Sequence, residues 1–155
     1  MDTEKRLEKQ GANIGEKVIR ANQFILEDEN GKPCAMLSVG KDGPRLVLSD
    51  ENGILRAMLG VGKAGPGLVL FDENGKPCAW LGGAKDGSGL GLNDENGKTR
   101  VILDVVNGPR LTLADENGKP RAMLTMGKDG PGLVLLDENG KLCAELSVGK
   151  DGPGL

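Results

Sequence analysis

The chain has 155 residues, a net charge of −3, 26 glycines, three aromatic side chains, and neither histidine nor tyrosine. Without histidine there is no imidazole base, no histidine-ligated metal and no Ser-His-Asp triad. A mildly acidic chain with so few aromatics also lacks the basic, stacking-rich surface of a nucleic-acid binder, and no apolar run approaches the ~18 residues of a membrane span.

At the N-terminus, Met1–Gln10 is charged and has no apolar stretch, so no signal peptide is visible. Asp2 or Thr3 can cap a helix over Glu4–Gln10. Leu7, Gly11, Ile14, Val18 and Ala21 follow at heptad spacing, which predicts a helical leader over residues 1–20, a short coiled coil able to set oligomer state. Gly11 and Gly15 weaken that helix. From Val18 to Glu27 the chain is expected to pass into a first strand.

Residues 21–155 are one unit, copied. The word Asp-Glu-Asn-Gly begins at Asp28, Asp50, Asp72, Asp94, Asp115 and Asp137, at spacings of 22, 22, 22, 21 and 22 residues. Each copy holds two short apolar runs, such as Ala35–Val39 and Leu46–Leu48, bounded by Gly, Asn, Asp or Pro. Runs of that length between turn signals read as strands, and the glycine density counts against helix. The Asn-Gly steps (Asn30-Gly31, Asn52-Gly53, Asn74-Gly75, Asn96-Gly97, Asn117-Gly118, Asn139-Gly140) are the favoured dipeptide of a two-residue type I′ hairpin.

Taking Asn52-Gly53 as such a turn makes paired residues sum to 105, so Leu48 faces Ala57 and Leu46 faces Leu59. Taking the next turn around Asp42-Gly43 makes pairs sum to 85, so Val39 faces Leu46 and Leu37 faces Leu48. Pro44 has no N–H to close that second turn, which predicts a looser connection. The one short copy, Val105–Pro109, has its deletion there. Because side chains alternate with period two, both registers select one sheet face. It carries Leu37, Leu46, Leu48, Leu59, Leu68, Leu70, Leu81, Leu90, Leu92, Leu103, Leu111, Leu113, Leu124, Leu133, Leu135 and Leu146. The opposite face drifts from copy to copy: Met36, Met58, Trp80, Ile102, Met123, then Glu145. Constancy on one face and drift on the other reads as core against solvent.

A sheet with one apolar face must bury it. A twelve-stranded monomeric barrel has an interior wider than Ala, Val and Leu can fill. A single-chain β-solenoid has a thin core but stacks carboxylate on carboxylate at ~4.8 Å. A homotrimeric β-prism, three antiparallel meanders with their Leu faces on the three-fold axis, relaxes both conflicts and is the preferred fold, with the solenoid as the alternative. A free strand edge invites another strand, so the first strand near Ala21–Leu26 could give end-to-end filaments.

A helical leader feeding Gly/Pro-punctuated β-repeats with a Leu-rich inner face resembles the trimeric fibre shafts of phage tail fibres and related bacterial fibrous proteins. The strings DENGKPRAML and GKDGPGLVL also look like repeats of uncharacterised bacterial proteins. The likeness covers roughly residues 14–155. It implies a shaft or spacer, as part of a phage or extracellular fibre, without a chemistry.

Motifs for chemistry are weak. Asp-x-Asn-Gly resembles half of a calcium loop, yet the further ligands are missing; turn capping explains it more simply. Cys34, Cys78 and Cys143 occupy the site held by Arg56, Arg100 and Arg121 in other copies. Cys34 and Cys78, two copies apart, lie about 19 Å apart in a meander, too far for a bridge. The odd count suggests reduced thiols or interchain contact, and the spacing excludes a zinc cluster within one chain. Pairs such as Asp72-Glu73 sit in turns, not across a cleft. The Gly-rich loops lack the P-loop pattern, and Ser38 and Ser147 have no neighbouring base. The expectation is therefore a non-catalytic structural protein that partners itself, without a cofactor. A binding module, either calcium-dependent or adhesive through its Met/Trp/Phe face, is the alternative.

Overall fold

The structure, a computed structural model, describes residues 18–128, 130–149 and 152–154. These hold thirteen strands: β1 (Gln23–Glu27), β2 (Pro33–Gly40), β3 (Gly43–Ser49), β4 (Leu55–Gly62), β5 (Gly65–Phe71), β6 (Pro77–Ala84), β7 (Gly87–Asn93), β8 (Thr99–Asp104), β9 (Arg110–Ala114), β10 (Pro120–Gly127), β11 (Gly130–Leu136), β12 (Leu142–Gly149) and β13 (Gly152–Gly154). They form one antiparallel sheet in strict chain order. Tertiary contacts run only between strands adjacent in sequence.

This topology corrects two closures. The single-chain solenoid would pair each strand in parallel with the copy 22 residues on, whereas every ladder here joins antiparallel sequence neighbours. The barrel fails as well, because β1 and β13 do not pair and the sheet stays open. The helical leader lies almost wholly outside the described residues. Its last two heptad positions, Val18 and Ala21, are described and are not helical. That end of the coiled coil is therefore corrected: the described residues before β1 form no helix.

The Asp-Glu-Asn-Gly turns keep the expected register but not the expected turn. Leu48 does face Ala57 and Leu46 faces Leu59. However, Asn52 keeps a negative φ, and only Gly53 is positive, at 79°. Gly53 N donates to Asp50 O at 2.9 Å, and Asp50 N donates to Ile54 O at 2.9 Å. This is a three-residue loop, a type I turn followed by a left-handed glycine. Its pairs sum to 104 at Ser49↔Leu55, and a bulge at Arg56 restores 105 from Ala57 onward. The loop's extra residue and the bulge cancel, so the face assignment survives.

The other turn is tighter than expected. Leu37 pairs with Leu46, Ala35 with Leu48 and Gly40 with Gly43, so pairs sum to 83 rather than 85 and only Lys41-Asp42 span the gap. The shift of two leaves every side chain on its expected face. Proline does not loosen this turn because its missing N–H points to the following strand. At Pro109 the carbonyl accepts from Met126 N at 2.9 Å, while the Met126 carbonyl receives no proline N–H in return. Gly108 fills that position: a Cβ there would overlap Met126 O. Gly43, Gly65 and Gly130 stand in the same relation to the Val61, Gly83 and Val148 carbonyls, each with φ between 122° and 128°. A Cα–H directed at an otherwise unpaired carbonyl is a weak hydrogen bond. The short copy turns through Val106–Gly108, with Asn107 at φ 59° the one described non-glycine residue at positive φ.

Candidate self-association surface

On one face, Leu37, Leu46, Leu59, Leu68, Leu81, Leu90, Leu103, Leu111, Leu124, Leu133 and Leu146 pair directly, strand after strand, into an unbroken row. A second row alternates: Leu48, Leu70, Leu92, Leu113 and Leu135 lie between Ala35, Ala57, Ala79, Val101, Ala122 and Ala144. Together the two rows place sixteen leucines on one face. Among the described residues no apolar side chain is buried, and Leu59, Leu81 and Leu124 are 51%, 52% and 50% exposed.

The opposite face carries the row Met36, Val47, Met58, Val69, Trp80, Gly91, Ile102, Thr112 and Met123, mostly half-buried. Trp80 does not project as an adhesive anchor would. Its indole lies across Gly91, where any Cβ would run into the ring. Glycine here replaces the valine of the preceding copy, Val69, and the larger aromatic covers the gap, a known way of rescuing a strand glycine. Near the short turn, Arg110 donates to Asp104 Oδ2 from Nη2 at 2.8 Å and Nε at 3.1 Å. Asp104 is 7% exposed, so this cross-strand pair staples the β8–β9 hairpin.

The two ends of the strands form two unlike rims. On the Asp-Glu-Asn-Gly rim each leading aspartate accepts, through Oδ1, the N–H two residues on (2.8–2.9 Å) and four residues on (2.8–3.1 Å). That is the capping expected of these turns, though the positive φ belongs to glycine alone. The lysine N–H, followed by that of asparagine, holds the Asp28 carboxyl below its ordinary value. Lysine donation does the same for Asp72 and Asp94 against their partial burial. At Asp115 burial is the largest influence and raises the value, but donation from Lys119, Asn117 and Arg121 together outweighs it.

Adjacent turns on this rim are latched by cations. Lys32 Nζ donates to Glu51 O, Arg56 Nη1 to Asp72 O (2.8 Å), Lys76 Nζ to Glu95 O (3.3 Å), Arg100 Nε to Ala114 O (3.0 Å) and Lys119 Nζ to Glu138 O (3.0 Å). Arg121 Nε adds a bond to Leu136 O at 2.9 Å. Arg100 and Arg121 also pair with their own turn's aspartate at 3.3 and 3.5 Å. Sequence reasoning missed these latches. The signal for the arginine latches was the Arg/Cys site itself, which the structure places at the bulge.

Cys34, Cys78 and Cys143 are free thiols at that bulge, bonded at most to backbone carbonyls. Among the described residues no group of three or more Cys, Asp or Glu is placed to hold a metal, and no helix is long and apolar enough to cross a membrane. Comparison with known proteins finds no matching family model and no matching curated protein.

Proposed function

We propose that the chain is a structural shaft or spacer segment that assembles through its leucine face, as a homotrimeric β-prism. The observation that carries this reading is an open sheet in which twelve of the sixteen leucines on one face are 39–52% exposed and none is buried. The chain exposes 12264 Å², where a compact monomer of its mass would expose about 7,500 Å². Assigning the N-terminal residues outside the described span the largest area they could contribute, about 2,800 Å², still leaves an excess of about 2,000 Å². That matches an obligate interface.

The leucine rows suit a narrow axis. A wall of seven or eight residues per strand spans about 24–27 Å, so three walls place their centres about 7–8 Å from the axis, close to the ~5 Å half-spacing of packed sheets. The middle leucine row can fill that distance. Four such walls would stand about 12–13 Å from the axis and leave a channel that leucine cannot fill.

Sedimentation equilibrium tests the reading. The expected mass is three chains, and replacing Leu59, Leu81 and Leu103 by Asn is expected to give monomers. A folded monomer of the unaltered chain overturns self-association. A dimer overturns the prism while keeping the leucine face as interface.

A further inference from the structure

Hairpin connectivity places all Asp-Glu-Asn-Gly turns on one rim of the sheet and all the Gly-Lys-Asp-Gly-type turns on the other. On the first rim Glu51, Glu73 and Glu95 are exposed, and no turn glutamate forms an ion pair among the described residues. The lysine latches bond backbone carbonyls, not these carboxylates. On the second rim Lys41, Lys63 and Lys85 are exposed and likewise form no ion pair among the described residues. Asp42 and Asp86 adjoin two of them, while Lys63 is followed by Ala64. Both series recur every second strand, about 9–10 Å, and are offset by one strand, about 4.8 Å, a distance that Glu and Lys side chains span.

We propose that in the oligomer the glutamate rim of one copy abuts the lysine rim of the next. The inference rests on the reading that further copies cover the leucine face, and it names the edges at which they meet. Contact between like rims would set glutamate against glutamate and lysine against lysine, which is destabilising at short range. Contact between unlike rims is heterologous, and such contacts close into a ring when the rotation permits. A trimer of three walls is such a ring. The charge pattern therefore selects cyclic assembly over a two-fold sandwich in which like rims meet.

Three variants of the full chain test this by sedimentation equilibrium at low and high salt, with circular dichroism confirming strand content. E51K/E73K/E95K reverses three of the six turn glutamates, K41E/K63E/K85E reverses three lysines of the other rim, and the third variant carries all six changes. Each single-rim reversal is expected to weaken association about tenfold or more at low salt, and less at high salt. The six-fold variant restores opposite charges between the altered positions and is expected to return to within about threefold of the unaltered chain. Should a reversal disturb folding, the neutral set E51Q/E73Q/E95Q is expected to give a smaller loss in the same direction. An oligomer indifferent to single-rim reversal, or a six-fold variant no better than the single-rim ones, overturns the rim contact alone. A monomeric unaltered chain overturns it together with the self-association it rests on.

Discussion

The aspartate that opens each turn bonds two backbone N–H groups through one oxygen, and at Asp28, Asp72, Asp94 and Asp115 this bears on titration. Asp28, Asp72, Asp94 and Asp115 are held below the ordinary value of 3.8. A carboxyl whose folded pKa is depressed contributes stability above the unfolded value and loses it as pH falls through the folded one. The melting temperature should therefore hold steady between about pH 7 and 5 and fall below about 4. Asparagine at these four positions can still accept the N–H bonds but cannot titrate, so the acid limb should become shallower. Melts followed by circular dichroism between those limits check this, and an unchanged limb would remove the four carboxyls as its cause.

At the level of the hairpin, compensation explains both the register and its exceptions. The three-residue turn loop displaces the pairing by one, and the bulge at the Arg/Cys site displaces it back. Trp80 and Gly91 are a second compensated pair, occupying cross-strand partners where the preceding copy has Met58 and Val69. Gly91→Val alone overpacks against the indole and should cost about 1–3 kcal/mol. Adding Trp80→Met recreates the neighbouring pair and should recover most of that loss. Urea unfolding of both single variants and the double one measures the coupling; additive losses would show that the two residues do not compensate.

Over the whole molecule, contacts reach only the neighbouring strand, so stability should build up copy by copy, as in other repeat arrays. Deleting residues 50–71 joins Ser49 to Asp72, removes one full copy and leaves every remaining strand its kind of neighbour. Such a chain should keep its oligomeric state and its strand signal. Deleting residues 50–60 removes half a copy and sends the following strand from the wrong rim, so its assembly should be lost. Sedimentation of the two chains decides the point, and equal behaviour would mean that copies are not the unit of assembly.

Much of this was already legible in the residues. The 22-residue period, the turn positions and the leucine face follow from the sequence alone, because strand side chains alternate strictly and a pairing error of two leaves every face in place. Turn type and exact partners were not legible. They depend on φ at Asn52, on a bulge that composition does not announce and on where proline's missing N–H points, all of which are settled between strands. The lysine and arginine latches were hidden for the same reason: each joins residues 14 to 19 positions apart that only the stacking of turns brings together. Local chemistry thus determined the strands and the face they present, while the open antiparallel sheet and its two unlike rims came from tertiary pairing, since hydrogen-bond partners belong to neighbouring strands and not to any one segment.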